Sequence, residues 1–338
     1  MTAMMKAVRL HEFGGPEVLL YEDAPRPEIA TDEVLVRVHA TSLNPPDLYL
    51  RDGYRGLPPE WQPSPTFPLI LGTDVSGVVA AVGASVTGFE VGDDVYAMVR
   101  FPQDLMTGSG AYADYVRVSA SELALKPSRI DHVHAAGAPM SLLTAWQFLV
   151  DLGHDAPNPF QSLAHTPMPL NGKSVLVNGA GGGVGHLAVQ IAKWQGSRVI
   201  AVASGKHGAL LTDLGADTVI DYTKVAAETV AKDVDLVLDA VGGAHMERFL
   251  PSIKPGGGLY LVNPLGFAGH DDAAKRQITV STTQVRSNGA QLAQAGRLLE
   301  DGTVRVAIDS TYPMAEASVA HRRASERSIQ GKIVLITA

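Results

Sequence analysis

Cysteine is absent from all 338 residues, which excludes disulfides, thiol nucleophiles and any cysteine-bound zinc. Long apolar runs are missing too: none approaches the roughly 18 to 20 residues that cross a bilayer, and residues 1–10 lack the apolar centre of a secretory signal. The expectation is a cytoplasmic protein with no membrane partner. Basic runs are equally scarce. With 27 Lys and Arg against 35 Asp and Glu the net charge is −8, which disfavours nucleic acid, because neutralising phosphates dominates that affinity. No period of about 20 to 50 residues recurs, so a repeat architecture is excluded. What is left, a chain with 46% hydrophobic and 18% charged residues, is long enough for two domains with proper cores.

One stretch organises the rest. Ser174-Val175-Leu176-Val177-Asn178 reads as a buried strand, Gly179-Ala180-Gly181-Gly182-Gly183-Val184-Gly185 as a glycine turn, and His186-Leu187-Ala188-Val189-Gln190-Ile191-Ala192 as helix. That order aims unsatisfied backbone N–H groups at a pyrophosphate. Ala180-x-Gly182-x-x-Gly185 is the dinucleotide fingerprint with alanine in first place. Its context strengthens it. Strand-like segments at 198–203, 218–220, 234–239 and 259–262 alternate with helix-like ones at 206–214, 224–231 and 245–250, the pattern of an α/β doubly wound parallel sheet. Residues 278–286 could add a sixth strand, and 289–300 read as helix.

The choice of dinucleotide is made about 20 residues past the glycines, where an acid would grip the ribose 2′-OH of NAD. Instead the second strand ends in Ala203-Ser204-Gly205-Lys206-His207. A small hydroxyl and a cation stand where a 2′-phosphate needs them, which favours NADP(H).

Upstream, 6–10, 34–40, 74–82 and 94–99 look like strands of a β-rich domain, separated by Gly/Pro turns. Helical character begins near Asp131. Residues 153–170, with Pro157, Pro159, Pro167 and Pro169, read as a surface excursion, because four prolines forbid a long helix. The tail returns to strand character at 304–308 and 331–336 and is expected to complete the first domain. Among eleven histidines His132 and His134 form the only close pair, with no third ligand nearby; they read as exposed polar residues at a helix start, and no metal is expected.

With these segments in view the chain resembles the medium-chain dehydrogenase/reductase superfamily, specifically its zinc-independent quinone oxidoreductase branch. The resemblance is carried by Phe13-Gly14-Gly15-Pro16-Glu17-Val18-Leu19, Ser42-Leu43-Asn44-Pro45-Pro46-Asp47-Leu48-Tyr49-Leu50-Arg51-Asp52-Gly53 and Leu71-Gly72-Thr73-Asp74-Val75-Ser76-Gly77-Val78-Val79. Leu143-Thr144-Ala145-Trp146, Leu214-Gly215-Ala216-Asp217, Ile220-Asp221-Tyr222 and Gly331-Lys332-Ile333-Val334-Leu335 add to it. It implies a GroES-like β-rich catalytic domain at 1–128 and again at 287–338, a Rossmann domain at 129–286, an active site in the cleft between them, and a homodimer. Where the zinc-dependent branch keeps its catalytic cysteine and histidine, Asn44 to Asp47 and Gly72-Thr73-Asp74 supply neither.

The resemblance also implies residue roles. On the acceptor side stand Asn44, Asp47, Tyr49 and Tyr54, with Asn44 and Tyr49 beside the nicotinamide and Asp47 equally readable as a turn or capping residue. For the cofactor it implies Ala180, Gly182, Gly183, Val184 and Gly185 at the pyrophosphate, and Ser204, Lys206 and Tyr222 around the 2′-phosphate. Thr144 falls at the nicotinamide side, Ala240 and Val241 at the adenosine half, and Asn263 just past the fifth strand. Without a Lewis acid, the feasible chemistry is hydride delivery from NADPH to an acceptor that is already electron-poor, a quinone or the C=C bond of an α,β-unsaturated carbonyl. The competing classes are a non-catalytic NADPH-binding structural or RNA-binding protein, and a zinc-free alcohol dehydrogenase.

Overall fold

The computed structural model describes residues 3–99, 109–156, 164–326 and 329–337. It divides into two compact units, one made of 1–140, 286–301 and 306–338, the other of 141–285 and 302–305.

In the first unit the elements are β1 (Met4–Leu10), β2 (Leu19–Pro25), β3 (Glu33–Ser42), α1 (Pro45–Arg51), β4 (Leu69–Ile70), β5 (Asp74–Val82), β6 (Asp94–Met98), β7 (Tyr115–Ser119), β8 (Leu123–Leu125) and α2 (His132–Ala136). The chain leaves this unit along α3 (Pro139–Leu149). The second unit follows with β9 (Ser174–Asn178), α4 (Gly183–Trp194), β10 (Arg198–Ala203), α5 (Gly208–Asp213), β11 (Thr218–Asp221), α6 (Ala227–Val230), β12 (Val234–Asp239), β13 (Ile253–Leu261), α7 (His270–Lys275) and β14 (Thr279–Ser281). The tail supplies α8 (Gly289–Glu300), β15 (Ile308–Pro313), α9 (Ala317–Ser325) and β16 (Lys332–Ile336) to the first unit.

The second unit is a six-stranded parallel sheet in the order β11-β10-β9-β12-β13-β14. Strand order reverses between β9 and β12, which makes their carboxyl ends the switch point of a Rossmann fold. The strands carry near-continuous apolar runs because both faces are covered. Leu176, Ile200, Val202, Val237 and Leu259 pack with Met246, Phe249 and Leu250. Some expected elements differ: the helix expected at 245–250 is a 3-10 helix at Met246–Ser252, and the sixth strand is only Thr279–Ser281. Of the proline-bearing stretch, Pro157 and Pro159 lie outside the described residues, and Pro167 and Pro169 stand in coil.

The first unit holds a mixed sheet, β15-β16-β3-β5-β6-β8 with β7 also on β3, beside a small β2-β1-β4 sheet. One face buries Val34, Val36, Val75, Val95 and Val116, and another cluster gathers Leu50, Leu71, Tyr112, Ala320 and Leu335. Strand character does not begin at Val304 as the sequence indicates. Gln190 binds both the N–H and the carbonyl of Arg305 (2.8 and 2.9 Å), and β15 starts only at Ile308.

Candidate functional site

At the carboxyl edge of the parallel sheet the glycine turn and the loops after β12 and β13 form a rim that holds several of the predicted cofactor residues. Gly182 caps α4 without a side chain, so the first-turn N–H groups of Gly183, Val184 and Gly185 lack both an intrahelical partner and a side-chain cap. Gly185 is a glycine of necessity: a Cβ there would stand 2.1 Å from Gly179 O and 2.7 Å from Ala180 Cα. Helix and turn can close onto each other here because this residue has no side chain. Ala180 is buried, its N–H donating to Val202 O (3.0 Å).

Neighbouring loops extend the rim on both sides. Val241 is exposed and meets Gly179, with its Cγ2 2.7 Å from where a Cβ would stand, and its N–H donates to Asp239 Oδ1 (2.9 Å), which also fixes Asn178. Ala240 joins the rim through its N–H, which donates to Asn178 O (3.1 Å). Asn263 packs on Gly242 and accepts the Leu265 N–H. On the other side the His207 ring lies against Gly181, in the 3-10 turn that follows Ser204 and contains Lys206. Tyr222 is exposed just past β11, and Thr144 is buried on α3.

Ser204 carries the most informative atom of this edge: its Oγ is buried and has no hydrogen-bond partner. A buried hydroxyl left unpaired is costly, and a phosphate oxygen would satisfy it. An uncapped helix start, a glycine contact that admits no Cβ and an orphaned hydroxyl past β10 together fit a phosphorylated dinucleotide. One feature of this edge escapes a reading of the second strand alone. Asp221, from the end of β11, lies against Gly205 and is held below the usual carboxylate range by its bonds to Thr223 and the Gly205 N–H. Lys224, 3.5 Å away, shares its charge.

The acceptor-side residues of the first unit are arranged differently. Pro45 and Pro46 open α1, where a missing N–H costs nothing. Asp47 closes the helix start, accepting the Asn44 N–H on Oδ2 (2.8 Å) and the Gly72 N–H on Oδ1 (3.0 Å). Fully buried, its carboxyl is pushed up to about 7 by burial, against the pull of those two N–H donors. It acts as a cap and touches no solvent. Asn44 is 3% exposed, and its Nδ2 donates to Asp74 Oδ2 (2.8 Å) and Thr73 Oγ1 (3.1 Å). Its Oδ1 accepts the ammonium of Lys332.

Of the four residues Tyr49 is the most open to solvent, at 45% exposure, with the rest of its side chain covered. Its ring lies 5.8 Å from that of Tyr54, and the Tyr54 N–H donates to Tyr49 O (2.7 Å). Burial raises both phenols above their ordinary range, so they stay protonated donors at neutral pH. Behind α1, Arg51 donates to His321 Nδ1 (3.1 Å), which leaves His321 Nε2–H to donate to Tyr112 Oη (3.1 Å). Burial beside Arg51 pushes that imidazole down to about 3. The helix is thus fixed at both ends.

His132 is not the exposed residue the sequence indicates: its ring stacks on His39 (4.4 Å) and its Nδ1 bonds Ser76 Oγ (2.8 Å), while His134 turns to Asp131. Among the described residues no three His, Cys, Asp or Glu side chains gather as metal ligands. Around Asn44 stand its own amide, the Thr73 hydroxyl, the Lys332 ammonium and the Asp74 carboxylate. The carboxylate, the one zinc-ligand type among them, is already bonded to Ser42, Asn44 and Met140 beside an ammonium, so the set does not fit zinc.

The profile of the Alcohol dehydrogenase GroES-like domain matches residues 30–128, and that of the Zinc-binding dehydrogenase family matches 214–335. An NADPH-dependent alkenal/one oxidoreductase, chloroplastic, of Arabidopsis thaliana is 34% identical over 98% of this chain and 79% of its own. The quinone oxidoreductase of Mus musculus is 30% identical over 98% of each chain. The chain belongs to the medium-chain dehydrogenase/reductase superfamily, in its quinone oxidoreductase branch. The solved quinone oxidoreductase of Coxiella burnetii superposes with a TM-score of 0.84 at 29% identity, over 99% of this chain and all of that one. For this medium-chain reductase, sequence reasoning missed Lys332 and Asp74 as partners of Asn44. The signal available was a lone charge opening an apolar strand in each case, Lys332 before Ile333-Val334-Leu335 and Asp74 before Val75.

Proposed function

We propose that this chain is an NADPH-dependent oxidoreductase that delivers hydride to quinones or to the C=C bond of α,β-unsaturated carbonyls, without zinc. The observation that carries the reading is the closed network around Asn44. With an amide, a hydroxyl, an ammonium and a carboxylate already saturated by hydrogen bonds, no thiolate, imidazole or open carboxylate is left there for a Lewis acid, and the acceptor must bring its own activation, as a conjugated carbonyl does. The named activities of the Arabidopsis and mouse relatives support the same class.

Bound NADPH supplies the hydride. The N–H groups of Gly183, Val184 and Gly185 hold its pyrophosphate, and Ala180 and Gly182 shape the turn that aims them. Ser204 Oγ, Lys206 and Tyr222 hold the 2′-phosphate, Ala240 and Val241 flank the adenosine half, Asn263 meets the cofactor at the carboxyl edge of the sheet, and Thr144 and Asn44 belong to the nicotinamide side. Tyr49, the exposed phenol, donates a hydrogen bond to the acceptor oxygen, with Tyr54 packed on its ring. Asp47 acts at one remove, by holding the start of α1. Positioning of this kind supplies much of a hydride-transfer rate without acid–base chemistry. A cytoplasmic homodimer that binds neither nucleic acid nor membrane completes the reading. The acidic balance supports the absence of nucleic acid, and no described helix is long and apolar enough to cross a membrane.

The test is a side-by-side screen of quinones, enones and enals by NADPH absorbance, before and after exhaustive chelation. Turnover with conjugated acceptors, unchanged by chelation, is the expected result. Oxidation of simple alcohols with NADP and silence towards every conjugated acceptor would overturn it.

A further inference from the structure

A lysine is almost never fully buried unless its acceptors have been built around it. Lys332 is 3% exposed, and its ammonium meets Asn44 Oδ1 and lies 3.5 Å from Asp74 Oδ2. Three neighbouring strands bring these groups together. Lys332 opens β16, Ser42 ends β3 and Asp74 opens β5, and the three lie side by side in the sheet. Asp74 is wholly enclosed, accepting Ser42 Oγ (2.7 Å) and Asn44 Nδ2 (2.8 Å) on one oxygen and the Met140 N–H (2.8 Å) on the other. Asp47, the second buried acid, is within the same electrostatic reach of Lys332.

The chemistry of these partners dictates how Asn44 stands. An ammonium only donates, so it requires the amide oxygen; a carboxylate only accepts, so it requires the amide nitrogen. With one on each side, the amide has a single orientation. Without the lysine, the oxygen loses its donor and Asp74 keeps a buried charge with no cation.

We propose that Lys332 is a positioning residue of the acceptor side, the internal cation that fixes the Asn44 amide and, through the Asn44–Asp47 start of α1, the placement of Tyr49. This rests on the reading of Asn44 and Tyr49 as acceptor-side residues. A merely structural lysine would neutralise Asp74 and do no more. The two roles separate in a cycle of Lys332→Met, Asp74→Asn and the double variant, read by melting temperature, by kcat and KM, and by hydrogen exchange of the Asn44 side-chain amide.

Lys332→Met is expected to lower Tm by about 10 °C, because removing one partner strands a buried charge. The double variant has no stranded charge and recovers most of that loss, and it carries the test if the single variant does not fold. Its kcat stays at least about tenfold below the parent with the KM for NADPH unchanged, since an unlocked amide spoils orientation. Its Asn44 amide protons exchange fast, whereas the parent protects them. Recovery of kcat together with Tm, or an Asn44 amide as protected in the double variant as in the parent, would overturn the proposal. If the parent reduces no conjugated acceptor, the proposed reaction fails on its own, and the Tm cycle and amide exchange still decide the role of Lys332.

Discussion

At the edge of the parallel sheet the groups offered outward are main-chain N–H donors and one orphaned hydroxyl, whereas at the start of α1 nearly every polar atom is turned inward and saturated. The first region leaves partners to be supplied: Gly183 to Gly185 have neither cap nor acceptor, and Ser204 Oγ is buried alone. The second has supplied its own, with Asp74, Asn44, Asp47 and Lys332 bonded to one another and to backbone N–H groups. Unsatisfied buried groups are costly, and a chain keeps them where a ligand repays the cost. A saturated network does the opposite work. It spends its polar atoms on rigidity and leaves a single phenol, Tyr49, to meet an acceptor.

The largest blow to this contrast falls on the open edge. Gly185→Val places a branched side chain where even a Cβ would stand 2.1 Å from Gly179 O, so the helix start must move away from the turn. Overpacking of this kind costs about 3 kcal/mol. The same shift misaims the three N–H groups. NADPH affinity, read by fluorescence titration, should fall by at least about 100-fold, while Tyr49 and its network are untouched. Retention of near-parental affinity would show that the glycine contact does not organise the rim.

The two regions also differ in how far the sequence discloses them. Backbone recognition of a pyrophosphate needs consecutive residues, so Ala180, Gly182 and Gly185 stand in one short window and declare themselves by spacing. The first four strands, from 174 to 239, match the segments read from the sequence to within a residue, whereas β13 begins at Ile253 and not at 259. The network around Asn44 has no such window. Lys332 lies 288 residues from its partner, and only the pairing of β16 with β3 and β3 with β5 brings the two together. Nor could spacing reveal that Asp221 of the third strand faces the Ser204–Lys206 turn, because that contact crosses between β10 and β11.

A smaller effect sharpens the comparison from the side of cofactor choice. Lys206→Ala should weaken NADPH by about tenfold, the scale of one exposed charge-assisted contact, and leave NADH nearly unchanged. Ser204→Ala separates binding from stability. It removes a buried hydroxyl without a partner, so the ligand-free protein should gain up to about 1 kcal/mol, while NADPH affinity falls several-fold and NADH affinity does not. Equal losses with both cofactors would place the 2′-phosphate elsewhere and return the orphaned hydroxyl to an accident of packing.

The smallest effect belongs to Tyr49, where the saturated network meets the acceptor. Its phenol is raised by burial and stays protonated across the neutral range, so it can donate a hydrogen bond in every cycle. A donor that only orients an acceptor already activated by conjugation contributes less than a proton-transferring acid, whose loss costs roughly 100- to 10,000-fold. Tyr49→Phe keeps the ring against Tyr54, at 5.8 Å between centroids, and removes only the hydroxyl. Turnover of an enone should therefore fall by less than about tenfold, with a pH profile from 6 to 8 of the same shape in both proteins. Tyr49→Ala also removes the ring and should raise KM for the acceptor, because orientation is lost along with the hydrogen bond. A fall of 100-fold or more in Tyr49→Phe would instead make the phenol a proton donor in the rate-limiting step, and the acceptor side would no longer be a region that positions without performing chemistry.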